Sequence, residues 1–365
     1  MPRRRGFLSL ALLALFFAAL ACGKAAHAVP TVVGPVKSRG ERLLAIGATP
    51  SQNNDYDAAI DLIRTVGAQA LPKVLFWDEV ETAPGQFHFS KPWLNALNTY
   101  YPHKNLQVLL TIAVLDTLAD RRPADLRGLP YDAPPVVARF NAFLDALARQ
   151  APHMPLVVLA IGNEVDGVLT SDPKAWKAYA HFFQQTASHA RTLWPGAAVG
   201  VKVMFKNARH FPALMRPLWE SSDALMLTYY PLDTGFLVQP PAVVANDFAE
   251  MVRLAQGKPV FLMEIGYPSS PVCGSSPALQ AGFIHEVFRA WDAHAQSIPL
   301  ISFVFLTDLS PAVVHRLEGY YGLEHPAFGE YLRTLGLREW EGAGRDKPAF
   351  LTLQAEAVAR GWRKP

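Results

Sequence analysis

The chain has 365 residues, of which 50% are hydrophobic, with 34 basic and 31 acidic side chains. This length is ample for one large domain whose core needs neither metals nor crosslinks. Two cysteines cannot make a disulfide framework, and the small net charge argues against a nucleic-acid partner.

The amino terminus has the layout of a secretory signal. Three arginines at positions 3–5 precede an apolar run over 7–21 that is short for a membrane span. Cleavage before Cys22, at an imperfect lipobox, would leave a lipid-anchored protein, whereas cleavage after Ala28 would leave a freely secreted one. We favour the anchored form, and in either case an exported protein, whether periplasmic, outer-membrane-anchored or extracellular.

The leader also fixes the domain boundaries that we expect. These are a signal peptide over 1–21, a tether over 22–40 and a single barrel domain over 41–362. Without the leader the chain holds 31 basic and 31 acidic residues. Cys273 then has no partner, membrane contact is limited to an anchor at Cys22, and we expect a monomer.

Beyond the tether, short apolar runs alternate with longer segments of helical period, which is typical of repeated β-α units. Eight strands favour a closed (β/α)8 TIM barrel of the α/β class over an open sheet. We predict the strands at 43–47, 73–77, 106–112, 156–161, 198–204, 224–228, 260–263 and 300–306.

Three helices stand out between the strands, at 134–150, 173–193 and 276–296. The first has apolar residues at three- and four-residue steps, as a helix packing one stripe on a barrel requires. Asp172-Pro173 starts the second with a capping residue and a proline in the first turn. The stretch from Leu309 to Lys347 is long for a final connection, and we expect it to form one wall of a cleft.

Two glutamates follow apolar runs where buried strands should end. Glu164 comes after the predicted fourth strand, in Gly-Asn-Glu, and Glu264 comes at the end of the seventh. Barrel enzymes keep their chemistry at the carboxyl ends of the strands. Two carboxylates across one cleft are the minimum apparatus for hydrolysing a glycosidic bond.

Together these motifs resemble the active-site signature of clan A retaining glycoside hydrolases, which are eight-fold barrels. The nearest likeness is to the arabinogalactan endo-β-1,4-galactanases. It rests on the segments 162–169 after strand four and Thr228-Tyr229-Tyr230-Pro231 after strand six, with a weaker match at 115–120 after strand three.

The resemblance implies a double displacement without a cofactor. Glu164 would be the general acid and then the base, and Glu264 the nucleophile, with their carboxyl groups about 5–5.5 Å apart. Asn163 would donate to the sugar 2-hydroxyl. A hydroxyl from Tyr229 or Tyr230, with Tyr230 preferred, would hold Glu264 in line.

Further residues near strand ends are candidates for substrate binding. Trp77 follows strand two and is either a sugar-stacking residue or part of the core. Asp116 and Asp308 follow strands three and eight, where each could accept sugar hydroxyls or cap a helix. The lesser candidates of the same kind are Asp78, Glu79, Asp166 and Asp233.

The sequence also departs from the family pattern. Clan A barrels usually have a tryptophan at the end of strand eight, whereas this chain reads Phe-Val-Phe-Leu-Thr-Asp over 303–308. The residues after Tyr230 also differ from those of galactanases. A β-linked polysaccharide or oligosaccharide is therefore the expected partner, without a named sugar.

Other chemistries have less support. The histidines are scattered and show no metal-ligand spacing, so we expect no metal site. The glycines of a serine nucleophile elbow and of a phosphate-binding loop are missing. The alternative from another class is a noncatalytic glycan-binding surface lipoprotein built on the same barrel.

Overall fold

The computed structural model describes residue 32 and residues 34–363. The predicted signal, Cys22 and most of the predicted tether lie outside these residues, so those predictions stay as they were made. Eight parallel strands form the predicted barrel. They are β1 (Leu43–Ile46), β2 (Ala70–Phe76), β3 (Gln107–Asp116), β4 (Leu156–Asn163), β5 (Ala198–Gly200 with Lys202–Met204), β6 (Leu225–Tyr229), β7 (Val260–Ile265) and β8 (Leu300–Phe303).

The strands pair in chain order, and the sheet closes through β5. The first segment of β5 pairs with β4, and the second pairs with β6, so the break at Val201 completes the ring. The remaining pairs are parallel throughout, and β8 pairs with β1. The prediction of a closed barrel is thus confirmed, with every predicted strand present.

Helices surround the barrel and include the three predicted ones. Two of these match the predicted bounds, and the third ends three residues before the predicted end. The α-helices are α1 (Tyr56–Thr65), α2 (Trp77–Val80), α3 (Pro92–Ala96), α4 (Tyr100–His103), α5 (Pro134–Gln150), α6 (Asp166–Leu169), α7 (Pro173–Leu193), α8 (Phe205–His210), α9 (Pro212–Ser221), α10 (Val243–Ala255), α11 (Pro277–Ala293), α12 (Pro311–Tyr321), α13 (Pro326–Arg333) and α14 (Pro348–Ala359).

Two apolar layers hold the barrel. The larger lies between strands and helices and contains branched residues such as Ile46, Leu110 and Ile161. The smaller cluster contains alternating neighbours on the same strands, such as Ala45, Leu109 and Ala160, which therefore fill the interior of the barrel. Successive side chains along each strand thus point alternately inward and outward.

The chain after β8 makes the predicted excursion before the last helix. It contains α12 and α13, which pack on each other around Leu309, Val314, Phe328 and Leu332. This helical pair, which we call the roof, contacts the carboxyl ends of other strands, as described below.

The start of β1 and the end of α14 meet at the amino-terminal face of the barrel. Asp292, near the end of α11, forms ion pairs of 2.8 Å with both Arg42 and Arg360. The backbone of Arg39 also donates to the carbonyl of Arg360. We call this group the terminal clasp.

Candidate active site

The carboxyl ends of five consecutive strands, β3 to β7, bring polar side chains together. Register pairing places Asp116 of β3 beside Asn163 of β4, and Thr228 of β6 beside Glu264 of β7. Neighbouring strands lie about 4.8 Å apart, so side chains from this arc share one small space. Both predicted glutamates lie in the arc.

Glu164 is held by two threonine hydroxyls. Thr117 donates to one carboxyl oxygen at 2.8 Å and Thr228 donates to the other at 2.7 Å. The Glu164 residue is only 9% exposed. Burial, and secondarily the charge of Glu264, raises the pKa of Glu164 to about 7. A carboxyl group with that pKa is able to donate and accept a proton near neutral pH.

The backbone around Glu164 is strained in a way that explains its motif. Glu164 and Thr117 both adopt left-handed φ values, 44° and 43°. Each such residue costs roughly 1 kcal/mol or more and persists only where the surroundings impose it. Gly167 contributes to this arrangement, because a Cβ there would lie 1.9 Å from the Thr117 carbonyl oxygen. The glycine in the motif therefore allows α6 to pack directly on the Thr117 turn.

Glu264 has a different environment. Tyr230 donates to one of its carboxyl oxygens at 2.9 Å, and Lys202 contacts the other. Lys202 belongs to β5 and is 2% exposed, whereas the Glu264 side chain is 25% exposed. The ammonium group reaches Glu264 across the intervening strand β6. The cation and the hydroxyl thus hold the Glu264 side chain from both of its carboxyl oxygens.

The two carboxyl groups act on each other electrostatically. Thr228 donates to Glu164 and is also the register partner of Glu264, which places both carboxyl groups around the end of β6. The Glu264 charge contributes to the raised pKa of Glu164. A buried carboxyl group with a raised pKa next to a second, more exposed carboxyl group is the kind of pair that glycosidase chemistry uses.

A chain of hydrogen bonds leads from Asn163, the residue before Glu164, to the roof. Asn163 donates to Asp116 at 2.7 Å, while its side-chain oxygen is buried without a partner among the described residues. The Tyr320 hydroxyl, from α12, donates to the backbone carbonyl of Asp116 at 2.6 Å and lies 2.9 Å from its carboxylate. The roof thus spans the mouth of the barrel from β8 to β3.

Aromatic rings lie on the other side of the pair. Tyr331, from α13, packs edge-on against Tyr230, with ring centroids 5.7 Å apart. Phe236, in the loop after β6, stacks on Tyr331 at 5.8 Å. The excursion therefore packs beside the glutamate pair, with Tyr331 in contact with the tyrosine that holds Glu264, while its role as a cleft wall stays a prediction.

Three residues that the sequence offered for substrate binding lie away from the glutamate pair. Trp77 is fully buried, donates to Glu81 and packs on Phe140, so it belongs to the core beneath α5. Tyr229 is also buried and donates to Asp247 of α10, on the outer face of the sheet.

Asp308 forms a buried ion pair with Lys347 at 2.6 Å. Its pKa is raised to about 6 because burial outweighs the lysine charge. This pair ties the start of the excursion to its end, and neither side chain contacts the glutamate pair.

The lesser candidates have structural roles. Asp78 pairs with Arg121 and Arg127, and Glu79 pairs with Lys91 and Arg121. Asp166 accepts from the amide of Met204 and the side chain of Asn207, which fixes the loop after β4 to β5.

The last of these candidates, Asp233, accepts the amides of Gly235 and Leu237 within a turn. It therefore shapes the loop after β6.

Sequence reasoning missed Lys202, the residue in closest contact with Glu264. A lysine within the apolar run Ala-Val-Gly-Val-Lys-Val-Met was a usable signal, because lysine is almost never fully buried without a partner. Among residues 34–363, no cluster of three or more histidines, cysteines or acidic residues is placed to hold a metal ion. No helix in the same part of the chain is long and apolar enough to cross a membrane.

No protein-family model matches the sequence, and no curated protein matches it significantly. Solved structures do match. An exo-β-1,4-mannosidase from an Opitutaceae bacterium gives a TM-score of 0.65 at 16% identity, covering 90% of this chain. This chain spans 62% of that mannosidase, which is less than two thirds of its length.

For two further structures, the match with this chain covers a larger share of the neighbour's length. The GH5_18 protein from Streptomyces cattleya, in complex with GlcNAc, gives a TM-score of 0.64 at 18% identity, covering 90% of this chain and 82% of its own. The GH53 catalytic domain from Ignisphaera aggregans gives a TM-score of 0.64 at 17% identity, and the match covers 90% of this chain and 99% of that domain.

These neighbours are clan A glycoside hydrolases, so the resemblance seen in the motifs is confirmed for the barrel. At such low identity the likeness establishes the fold. The chain has the fold of a glycoside hydrolase barrel, and a pair of interacting glutamates lies at the end of that barrel where such enzymes carry their chemistry.

Proposed function

We propose that this protein is a retaining glycoside hydrolase that cleaves β-linked glycans by double displacement. The observation that carries the proposal is the unequal pair of glutamates. Glu164 is buried with its pKa raised to about 7, while Glu264 is bound by a cation and a hydroxyl. An acid and a nucleophile within one site are what the two chemical steps require.

In the first step, a carboxylate oxygen of Glu264 attacks the anomeric carbon, and the bond to the leaving oxygen breaks. Glu164 transfers its proton to that oxygen, which departs as an alcohol. Tyr230 keeps the attacking carboxylate oriented through its hydrogen bond of 2.9 Å. The product of this step is a glycosyl ester on Glu264, and Glu164 is now a carboxylate.

In the second step, Glu164 takes a proton from water as the water oxygen attacks the anomeric carbon. The ester bond breaks, Glu264 returns to its anionic form and Glu164 is reprotonated. Asn163 and Asp116, joined at 2.7 Å, lie at the end of β3 and β4, where they would bind the sugar 2-hydroxyl. We expect the two carboxyl groups to lie about 5–5.5 Å apart, as retention requires.

The substrate class that we propose is supported by the glutamate pair and by the structural neighbours. The mannosidase neighbour is named for a β-1,4 linkage, and a variant of the Streptomyces protein is bound to Manβ1-4GlcNAc. We therefore propose a β-linked oligosaccharide or polysaccharide as substrate, with no cofactor. Export, whether as a lipoprotein at Cys22 or as a secreted protein, and a monomeric state complete the proposal.

The proposal is tested with aryl β-glycosides and with β-galactan, β-mannan, β-glucan and xylan. Wild-type protein should release sugar from at least one of them, and the first product should have the β configuration by NMR. Glu264→Ala should lower turnover roughly a thousand-fold or more, because it removes the nucleophile. Glu286→Ala, on the outer surface of α11, is the matched control and should retain activity.

Azide distinguishes the roles of the two glutamates. In Glu264→Ala, azide should displace the leaving group directly and give the α-glycosyl azide. In Glu164→Ala, azide should attack the glycosyl ester and give the β-glycosyl azide. A folded wild-type protein that cleaves none of these substrates would contradict the proposal and favour a glycan-binding role.

A further inference from the structure

Lys202 is the charged group that the proposed reaction has not yet used. It is 2% exposed, and its ammonium group contacts a carboxyl oxygen of Glu264. Lys202 lies on β5, two strands away from Glu264 on β7, and its side chain lies in the interior of the barrel. Burying an ammonium group costs free energy because the charge loses its contact with water. A role of Lys202 in the reaction would explain its position beside one carboxylate.

The two chemical steps make opposite demands on Glu164. It must hold a proton when the first bond breaks, and it must be a base when water attacks. Its burial opposes the second demand, because desolvation is the largest cause of its raised pKa. Forming the ester removes the negative charge of Glu264, but the burial of Glu164 stays.

The charge balance around Glu164 changes when the ester forms. In the free protein, Glu264 and Lys202 form an ion pair whose charges largely cancel at a distance. In the glycosyl ester, Glu264 is neutral and Lys202 keeps its charge. The lysine lowers the Glu164 pKa even in the free protein, where it is paired. Once it is unpaired, its effect on the neighbouring carboxyl group is larger.

We propose that Lys202 is a positioning residue for the second step, a role that rests on the proposed function. Its charge becomes uncompensated in the glycosyl ester and keeps Glu164, which has given its proton to the leaving oxygen, in the carboxylate form that activates water. Loss of the Glu264 charge and exposure of the Lys202 charge then act in the same direction. Glu164 thus becomes a base when a base is needed, without any movement of the backbone.

The other groups facing Glu164 do not supply this change. The threonine hydroxyls of Thr117 and Thr228 are neutral in both steps. Asp166 raises the Glu164 pKa and its own charge is held by Asn207, so it opposes deprotonation. The remaining titratable neighbours among the described residues are three tyrosines, Tyr230 after β6 and Tyr321 and Tyr331 on the roof, and burial raises the pKa of each.

The test compares Lys202→Met with wild type on an aryl β-glycoside that has a good leaving group. Lys202→Met should raise the pH midpoint of the second step by about one unit in the Glu164 pKa, and so slow that step by up to roughly tenfold at pH values below the midpoint. The glycosyl ester should then accumulate and be visible by intact-protein mass spectrometry. Azide needs no base, so it should restore turnover and give the β-glycosyl azide.

Two control variants separate this role from a structural one. Lys202→Arg keeps the charge and should keep the wild-type pH profile. Lys347→Met removes another buried lysine, one that pairs with Asp308 away from the site, and should lower stability without changing the pH profile. If Lys202→Met does not fold, Lys202→Gln replaces it.

The proposal about Lys202 is overturned if Lys202→Met slows only ester formation, with no accumulated ester and no effect of azide. Failure of the proposed function looks different, because wild type itself would then give neither turnover nor ester. A titration of the Glu164 carboxyl carbon by NMR needs no turnover. It should show a higher Glu164 pKa in Lys202→Met than in wild type, and an unchanged value overturns the proposal on its own.

Discussion

The buried carboxyl group of Glu164 makes the stability of the protein depend on pH. Its pKa is 4.5 in its ordinary state and about 7 in the folded protein. The folded state therefore binds the proton more tightly than the unfolded state, so stability should fall as pH rises from about 4.5 to about 7. Glu164→Gln removes this dependence, which is worth up to about 3 kcal/mol.

Urea unfolding of wild type and Glu164→Gln between pH 4 and pH 8 measures this effect. The free energy of unfolding of the variant should rise steadily relative to that of wild type as pH rises. Parallel curves would contradict the raised pKa of Glu164. Glu330 is a control of opposite sign. Arg333 lowers the pKa of Glu330, so the stability from that pair is present above the ordinary pKa and is lost as pH falls through the lowered one.

The neighbours Tyr229 and Tyr230 allow a second test with a matched pair. Tyr230→Phe removes the hydrogen bond to Glu264 and should lower kcat by roughly ten- to a hundred-fold, with little loss of stability. Tyr229→Phe removes the bond to Asp247 and should cost about 1–2 kcal/mol of unfolding free energy with kcat nearly unchanged. Steady-state kinetics and thermal melts of both variants decide, and a reversed pattern would refute the placement of the two rings.

The site residues also show how much of the site could be predicted from the sequence. The glutamates could be predicted because each ends an apolar run, where a strand reaches the edge of the barrel. Tyr229 was wrong because side chains alternate along a strand. Thr228 points into the site, so Tyr229 points to the helices, and only the strand register reveals which is which. For Trp77, which the sequence left open between sugar stacking and the core, the core is correct, since it begins a short helix whose inner side packs under α5.

At the scale of elements, the roof determines access to the glutamate pair. Tyr320 connects α12 to Asp116 on β3 by two contacts of 2.6 and 2.9 Å. Tyr320→Phe removes the one hydroxyl hydrogen that these two acceptors share, and a hydrogen bond of this kind, with a carboxylate among its acceptors, is worth about 1–2 kcal/mol. Amide hydrogen exchange over Pro311–Tyr321 should therefore become roughly five- to thirty-fold faster in the variant.

Exchange in α5, which packs on the outside of the barrel and makes no hydrogen bond to the roof, is the internal control and should not change. Equal protection of α12 in wild type and in Tyr320→Phe would show that other contacts hold the roof. Substrate should increase the protection of α12 in wild type, because a sugar bound at Asp116 and Asn163 would lie next to Tyr320 of that helix.

The sequence predicted the roof as an excursion but not what it contacts. Its length and aromatic content indicated a wall, and Leu309–Lys347 does contain the two helices. The contacts of Tyr320 and Tyr331 join residues about a hundred or more positions apart, so they follow from tertiary packing rather than from local pattern. The Asp308–Lys347 pair is of the same kind: a strand-end aspartate that the sequence offered as a ligand for sugar is used to secure the excursion.

At the scale of the whole molecule, the terminal clasp joins the start of β1 to the end of α14 at the amino-terminal face of the barrel. Asp292 is the shared partner of Arg42 and Arg360, which are both almost completely buried. Asp292→Ala leaves two buried cations short of an anion and should cost about 3–5 kcal/mol of unfolding free energy. Urea denaturation measures this loss.

Catalysis by the protein that remains folded should be unchanged, because the clasp lies on the face opposite the glutamates. Glu286→Ala breaks an exposed pair on the same helix and should shift stability by less than about 1 kcal/mol. A similar loss in both variants would show that burial does not set the strength of the clasp.

The position of the clasp also determines how the molecule can be held. The segment ahead of Arg42 leaves from the back of the barrel, so any bead, tag or bilayer joined through it would sit behind the protein. The mouth, with its glutamates and aromatic wall, would then open toward the surrounding medium. A long polymer could approach an immobilised molecule head-on, without first passing the support.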